Sequence, residues 1–256
     1  MAEAKTAITS KPVWIDLMTS DTEASRKFYA EVFDWDVEVD PDPKYGGYAM
    51  AKVGGHQVAG IAAKQMPEAP TAWSIYIGTS DAKDLAKKIT AAGGKVIAEP
   101  FEVMGQGTMA VFQDPSGAFI SAWQPQQMGG FHSEEPNTFG WAELNARGLD
   151  KVLPFYKNVF GWGTKESTAG DETPYTEFQI GDQSVAGAME MNPMVPGHVP
   201  SYWMVYFNVS DLDKSFKKAI DSGATEMMAP AEMGGERFAI VTDPQGAAFG
   251  LLQIKK

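Results

Sequence analysis

The chain of 256 residues repeats itself, and this repeat constrains the fold more than any other feature of the sequence. Trp14-Ile-Asp-Leu17 returns as Trp141-Ala-Glu-Leu144, an offset of 127 residues. At a slightly larger offset, Asp114-Pro-Ser-Gly117 returns as Asp243-Pro-Gln-Gly246. Such long-range self-similarity indicates two copies of one structural unit.

Each copy holds two shorter modules with the same order of elements. Thr19-Ser-Asp21 and Thr79-Ser-Asp81 each precede a helical pattern, because Asp is a good N-cap residue and apolar residues follow at helical spacing. Short alternating strands flank each helix, and Gly54-Gly55 is typical of a hairpin turn. The order strand, helix, strand, strand, strand therefore occurs four times. One such module is too small to bury its own sheet face, so we expect modules to pair.

The βαβββ pattern resembles the vicinal oxygen chelate superfamily, which includes glyoxalase I, bleomycin-resistance proteins and extradiol dioxygenases. The resemblance runs from about Val13 to Gln253. It rests on the Phe28-Tyr29-x-x-Val-Phe-x-Trp helix end, the Val58-Ala-Gly60 hairpin and the two Asp-Pro-x-Gly turns. The nearest subgroup is the two-domain glyoxalase-like proteins of bacteria, which often carry a hydroxylase label.

The resemblance implies an α+β fold, in which four βαβββ modules pair into two glyoxalase-like, curled mixed-sheet domains. We place the domains at residues 10–125 and 137–256, with a linker at 126–136 that is rich in Gln, Gly, Pro and Glu. Each domain would form a cup around a ligand or metal. The sequence leaves three pairings open. Modules 1 and 2 form one cup and modules 3 and 4 the other, or modules pair across the two halves, or modules of two chains pair.

The resemblance also implies where a divalent metal would be held, namely by His and Glu on the strands. The corresponding positions here are Trp14, Ser74, Ser121, Trp141, Met204 and Gly250. None of these side chains is a good metal ligand. The three His residues are not at ligand spacing, so we expect no metal and no other cofactor.

Strand alternation suggests which side chains line the cups. If Ile15 and Leu17 pack against a helix, their neighbours must point the other way. On this argument the candidate ligand-binding residues are Trp14, Asp16, Met18 and Tyr76 in one cup and Trp141, Glu143, Asn145 and Tyr206 in the other. Aromatic rings and Met suit a planar organic ligand, and the carboxylates would hold a cation or act as a base. The alternative is a structural role, in which Asp16 and Glu143 bond to the two tyrosines.

Composition excludes several classes of function. With 21 Lys and Arg against 33 Asp and Glu, the net charge is −12, which argues against binding to nucleic acid or an anionic membrane. The absence of Cys excludes disulfides and thiolate chemistry. No apolar run is long enough to span a membrane and the first residues show no secretion signal, so we expect a cytoplasmic protein, monomeric or homodimeric.

Three hypotheses for the function follow. The first is a metal-independent protein that binds a small aromatic or apolar molecule, as bleomycin-resistance proteins do. The second is a lyase or dioxygenase with atypical metal ligands. The third is a metal-free enzyme that uses Asp16 or Glu143 as an acid or base on an aromatic substrate. No residue is assigned a catalytic role.

Overall fold

The computed structural model describes residues 10–133, 135–169, 173–233 and 235–253. Most of the N-terminal segment, in which we expect no secretion signal, lies outside the described residues. So do residue 134 of the predicted linker and residues 254–256 at the end of the predicted second domain.

The order of elements confirms four βαβββ modules and the α+β class. The first copy contains β1 (Pro12–Thr19), α1 (Thr22–Phe33), β2 (Asp36–Val39), β3 (Ala49–Val53), β4 (His56–Ala63), β5 (Ala72–Gly78), α2 (Ala82–Ala91), β6 (Lys95–Val103), β7 (Gly107–Gln113) and β8 (Phe119–Pro125). The second copy contains β9 (Phe139–Ala146), α3 (Leu149–Phe160), β10 (Gly163–Ala169), β11 (Thr173–Ile180), β12 (Gln183–Glu190), β13 (Tyr202–Val209), α4 (Leu212–Asp221), β14 (Thr225–Met233), β15 (Glu236–Thr242) and β16 (Ala248–Gln253).

The strands form two eight-stranded mixed sheets with the same topology. The orders are β2-β3-β4-β1-β5-β8-β7-β6 and β10-β11-β12-β9-β13-β16-β15-β14. In each module the first strand pairs in parallel with the last, and the second, third and fourth strands pair antiparallel with one another in sequence order. Each sheet therefore belongs to one copy of the sequence repeat, as in the first of the three pairings that the sequence left open.

Two helices begin where the sequence predicts, since Asp21 and Asp81 cap α1 and α2. Asp211, which the sequence analysis did not name, caps α4. Each side chain accepts a hydrogen bond from a backbone N–H of the first turn. The predicted hairpin turn has positive φ at both Gly54 and Gly55, a conformation that favours glycine over other residues. These local signals fix where the elements start and turn.

The start of α3 is capped by a residue from a distant strand rather than by a neighbour in the sequence. It begins after Gly148, which offers no side chain to accept a hydrogen bond. The carboxylate of Glu190, at the end of β12, accepts from the backbone N–H groups of Gly148 and Leu149 at 2.8 and 2.7 Å. A residue 41 positions away thus caps this helix, which local patterns could not indicate.

The compact units of the structure combine modules from both copies. One unit comprises Met1–Trp14, Ile75–Gly130 and Ala142–Trp203, so it contains most of modules 2 and 3. The other comprises Ile15–Ser74, Phe131–Trp141 and Met204–Lys256, with most of modules 1 and 4. We call them the 2/3 unit and the 1/4 unit.

A buried tyrosine joins the two modules of the 1/4 unit. The Tyr29 hydroxyl accepts from Trp73 Nε1 at 2.9 Å and donates to Asp243 Oδ2 at 3.0 Å. Tyr29 lies on α1, whereas Asp243 opens the Asp-Pro-Gln-Gly turn of module 4. Burial and the nearby Asp243 carboxylate raise the pKa of Tyr29 well above its usual value, so this hydroxyl keeps its proton.

The 2/3 unit contains the equivalent arrangement. The Tyr156 hydroxyl, on α3, accepts from Trp203 Nε1 at 3.1 Å and donates to Asp114 Oδ2 at 2.7 Å. The other oxygen of Asp114 accepts from the N–H groups of Ser116 and Ala118, which holds the turn. The Phe-Tyr and Asp-Pro-x-Gly motifs therefore act together, one in each module of a unit.

Within the described part of the chain, we find no helix long and apolar enough to cross a membrane.

Candidate functional site

The two faces of the β1 strand can be told apart by one hydrogen bond. The Thr19 hydroxyl shares a 2.8 Å hydrogen bond with Ser25 of α1, so this side of β1 faces the helix. Ile15 and Leu17 share that side by strand alternation and are fully buried. The opposite face therefore carries Trp14, Asp16 and Met18.

In the 1/4 unit, this opposite face brings a carboxylate and a tyrosine hydroxyl to one glycine. Gly60 pairs with Asp16 on one side and with Met50 on the other. A Cβ atom added at Gly60 would overlap the Tyr48 hydroxyl and lie 3.1 Å from Asp16 Cβ. The hydroxyl thus rests on the backbone of β4 beside the Asp16 side chain.

The 2/3 unit repeats this arrangement in module 3. Gly187 pairs with Glu143 on one side and with Glu177 on the other. A Cβ atom at Gly187 would overlap the Tyr175 hydroxyl. Asn145 donates a hydrogen bond to Glu143 Oε1 at 3.1 Å, so these two predicted site residues lie in contact.

This module 3 face is the more acidic of the two. Glu177 accepts hydrogen bonds from Ser184 and from Lys165, and these, Ser184 first, hold the pKa of Glu177 below its usual value. Burial, and after it the negative charge of Glu143, raise the pKa of Tyr202. Glu177 is therefore ionised near neutral pH, and the Tyr202 hydroxyl keeps its proton.

In module 2, within the 2/3 unit, the face turned away from α2 is apolar. Register places Phe101 beside Met109 and Met109 beside Trp123. Phe119 lies on the same face, because it precedes Trp123 by four residues on β8. The opposite face of these strands carries fully buried residues such as Phe112, and α2 packs against these strands. Phe101 and Phe119 are 47% and 54% exposed, which is high for phenylalanine.

The same face also carries Tyr76, which pairs with Ser121 of β8. Both residues are buried. Trp123 lies across Gly107, where a Cβ atom would overlap its ring. A predicted site residue thus adjoins the exposed aromatic surface.

In module 4, within the 1/4 unit, Tyr206 takes the equivalent position. Its ring lies over Gly250, where a Cβ atom would overlap it, and packs edge-to-face on Phe238 at 6.1 Å between centroids. Leu252 pairs with Phe238 and extends this apolar face. On the other side of β13, the ring of Phe207 packs against that of Phe33 on α1, with 4.8 Å between the ring centroids.

Each predicted site residue therefore lies on a strand face turned away from a helix. Trp14, Asp16, Tyr76 and Tyr206 are buried, whereas Met18, Trp141, Glu143 and Asn145 are partly exposed. That they bind a ligand stays a prediction.

Sequence reasoning missed Tyr48 and Tyr175. The signal was present, because the two tyrosines are separated by the repeat offset of 127 residues, as are Gly60 and Gly187.

Comparison with known proteins identifies the family. The sequence model of the Glyoxalase/Bleomycin resistance protein/Dioxygenase superfamily matches residues 11–121 and 138–251. The chain therefore belongs to this superfamily, whose members bind small-molecule substrates.

Two relatives resemble the chain over nearly its whole length. CFP32 of Mycobacterium tuberculosis, whose name assigns it provisionally to the glyoxylases, is 37% identical, with 94% of each chain covered. The anthracycline biosynthesis protein DnrV of Streptomyces peucetius is 34% identical over 96% of this chain and 94% of its own.

Solved structures share the fold at low identity. The Mn(II)-bound glyoxalase from Novosphingobium aromaticivorans superposes with a TM-score of 0.67 at 16% identity, covering 96% of this chain and 82% of that one. The 2,3-dioxygenase LapB from Pseudomonas sp. KL28 superposes with a TM-score of 0.66 at 15% identity, and the match covers 97% of this chain and 94% of that one.

The residues at the expected metal positions do not fit a metal ion. Trp14 and Met204 offer no suitable donor, and the Tyr206 ring fills the space that a side chain at Gly250 would need. In residues 10–133, 135–169, 173–233 and 235–253, no three His, Asp or Glu side chains are grouped to hold a metal.

Proposed function

We propose that this protein binds a small, largely aromatic or apolar organic molecule, and that it does so without the superfamily's usual metal site. The observation that carries the proposal is the module 2 face, where Phe101 and Phe119 are half exposed beside Met109 and buried Trp123. Exposed phenylalanine costs solvation free energy, which a stacked ring would recover.

The other faces support a ligand that also has polar atoms. Each repeat carries one apolar face, in module 2 or 4, and one face with a carboxylate and a tyrosine, in module 1 or 3. A ligand that lies on a module 1 or module 3 face meets a carboxylate and a tyrosine hydroxyl, to which polar atoms of the ligand can bond. The proposal therefore favours a ring with polar substituents.

The names of two relatives support the same chemistry. DnrV and the 32% identical DauV of Streptomyces sp. are both named as anthracycline biosynthesis proteins. Anthracyclines are fused-ring aromatic compounds, and such rings suit the exposed phenylalanines of the module 2 face.

A metal-free acid–base enzyme is the second candidate. Asn145 donates to Glu143 and thereby fixes its orientation, and Tyr202 lies close enough for its pKa to respond to the Glu143 charge. A carboxylate oriented in this way can act as a base on a bound substrate. A lyase or dioxygenase with atypical metal ligands is the remaining alternative, which the name of CFP32 favours.

Substitutions on the exposed face test the binding proposal. We expect Phe101→Ser with Phe119→Ser to weaken binding of an aromatic probe such as 2-naphthol, measured by quenching of tryptophan fluorescence. The matched control is Met194→Ser, which removes an apolar side chain that is 89% exposed. Equal binding by the parent, the double variant and the control would refute the assignment of this face.

The predicted Trp residues give a second test. Trp14→Ala or Trp141→Ala should weaken binding by roughly 1–3 kcal/mol, the contribution of one large buried side chain. Trp14→Phe and Trp141→Phe keep a ring for stacking and should bind more tightly than the Ala variants. Asp16→Asn should matter less for a neutral ligand than for a cationic one, because only a cation needs the charge.

We further propose that the domain boundaries are 10–125 and 137–256, with a linker at 126–136. The two matches of the superfamily model, 11–121 and 138–251, support these limits. We also propose a cytoplasmic location and a monomer or homodimer. We propose no nucleic-acid partner, because the net charge of −12 would repel the phosphate backbone.

A further inference from the structure

The apolar face of module 2 carries a lysine at one end. Lys95 pairs with Gln113, and Gln113 pairs with Phe119, so these three residues form one row across β6, β7 and β8. Phe101 and Met109 begin a second row on the same face, because Met109 and Gln113 share a side of β7 by strand alternation. Four residues separate Met109 from Gln113, so the two rows lie about 13 Å apart.

The row between these two consists of smaller side chains. Ala98 pairs with Val111 halfway along the face, and both side chains are half-buried. Register shifts in β6 on either side of Ala98 keep Lys95 and Phe101 on this face, although each lies three residues from Ala98. The face therefore forms a shallow slot with Ala98 and Val111 as its floor, and a flat ring system can lie there between Phe101 and Phe119.

The ammonium group of Lys95 can reach a ligand in this slot. Lys95 is exposed, and in the part of the chain that the structure describes it forms no ion pair with a carboxylate. By contrast, Lys88 on the neighbouring helix α2 pairs with Asp84 at 2.9 Å. The slot thus has apolar surface along most of its length and one uncompensated positive charge at its end.

Module 4 shows that the fold requires neither this charge nor the exposed rings. The β14 strand has two register shifts at the same places as β6. The positions that correspond to the lysine and the two phenylalanines carry smaller side chains there, namely Thr225, Ala231 and Ala248. The lysine and the exposed phenylalanines are therefore a property of module 2 alone, which indicates a task other than folding.

We infer that Lys95 is a specificity-determining residue, which selects aromatic ligands that carry an anionic group. This inference rests on the proposed function, because it concerns the same module 2 face. The ring lies in the slot, and its anionic group accepts a hydrogen bond from the Lys95 ammonium. The net charge of −12 opposes the binding of any anion, so the attraction must come from a local cation such as Lys95.

The test compares two probes with the same ring system, 2-naphthoate and 2-naphthol, by calorimetric titration of the full chain. Only the first is an anion near pH 7, because a phenol-type hydroxyl keeps its proton there. We expect Lys95→Met to weaken the binding of 2-naphthoate about two- to fivefold, the size of an exposed ion pair, and to leave that of 2-naphthol unchanged. This loss should shrink as NaCl is raised to about 1 M, since salt screens the charges.

Two further variants serve as controls. Lys95→Arg keeps the positive charge and should bind 2-naphthoate nearly as the parent does. Lys87→Met removes the same charge from an exposed position on α2, which packs against the opposite face of these strands, and should change neither affinity.

The outcomes separate this inference from the proposed function. If neither probe binds the parent, the proposed function fails, and this inference fails with it. If a probe binds but Lys95→Met weakens both probes equally or neither, only the inference is overturned. An equal loss of 2-naphthoate binding in Lys87→Met would also overturn it, because the effect would then come from the net charge rather than from the slot.

Discussion

At the scale of single residues, Tyr29 and Tyr156 stand out because each satisfies two buried partners. Each hydroxyl accepts from an indole N–H and donates to an aspartate that opens a turn. Sequence analysis found both motifs as repeats but assigned no contact between them. The pairing depends on residues 214 and 42 positions apart, which no local pattern encodes.

Removing one of these hydroxyls should destabilise the fold. We expect Tyr29→Phe to lower the free energy of unfolding by about 1–3 kcal/mol, because Trp73 Nε1 and Asp243 Oδ2 would lose a buried partner. Tyr45→Phe, at a partly exposed position, should change it little. Urea denaturation measures both, and an equal effect of the two variants would contradict the assigned role.

We expect the free energy of unfolding to depend on pH through the protonation of Asp243. Burial raises the pKa of Asp243, so the folded state holds this proton more tightly than the unfolded state does. Protonated Asp243 therefore stabilises the fold fully at a pH below the pKa that this carboxyl has in the unfolded chain. This stabilisation is lost as the pH rises through the higher pKa of Asp243 in the folded protein.

The variant Asp243→Asn isolates this contribution, since Asn does not titrate. We expect the stability advantage of the parent over Asp243→Asn to decrease as the pH is raised from 3 to 7. Urea titrations at several pH values give the difference. A constant or growing advantage would mean that the pKa of Asp243 is not raised.

At the scale of elements, the starts of α1, α2 and α4 are set by neighbouring residues in the sequence. The start of α3 is not, because its cap comes from a distant strand. Asp caps and the Gly54-Gly55 turn are predictable because the residues concerned are neighbours. Pairing of β12 with β9 places Glu190 opposite Ala146, just before the start of α3. The sheet register therefore creates the cap.

We expect Glu190→Ala to destabilise the protein by about 1 kcal/mol, the usual cost of losing an N-cap. Glu190→Gln should cost less, because its amide oxygen can still accept one bond while the favourable charge at the helix N-terminus is lost. Glu99→Ala, at an exposed strand position, serves as the control. Thermal unfolding should show a lower midpoint temperature for Glu190→Ala than for the parent and an unchanged one for Glu99→Ala. Equal midpoints for the two variants would contradict the capping role of Glu190.

At the scale of the whole molecule, each compact unit needs both halves of the chain. In the 1/4 unit, Trp35 Nε1 donates to the Asn137 carbonyl at 2.7 Å, and in the 2/3 unit Trp162 Nε1 donates to the Ser10 carbonyl at 2.7 Å. Asn137 and Ser10 both have positive φ and are again 127 residues apart. The two copies thus exchange equivalent contacts.

Separated halves should therefore be less stable than the intact chain. We expect residues 1–130 and 131–256, produced together, to associate into one complex on size-exclusion chromatography. Each half alone should unfold at lower urea concentration, because its Tyr–Asp contact is missing. An isolated half as stable as the intact protein would contradict this composition of the units.

The sequence by itself determined the repeat, the order of elements in each module, the family, and the strand phase that turns Asp16 and Glu143 away from the helices. These follow from periodicity and from contacts between near neighbours, which are written along the chain. Only the tertiary structure decided that modules of different copies share a compact unit, that Glu190 caps α3, and that Tyr48 and Tyr175 rest on Gly60 and Gly187. Those contacts arise when strand register brings distant residues onto one face, and register is set by the packing of the whole sheet rather than by any local segment.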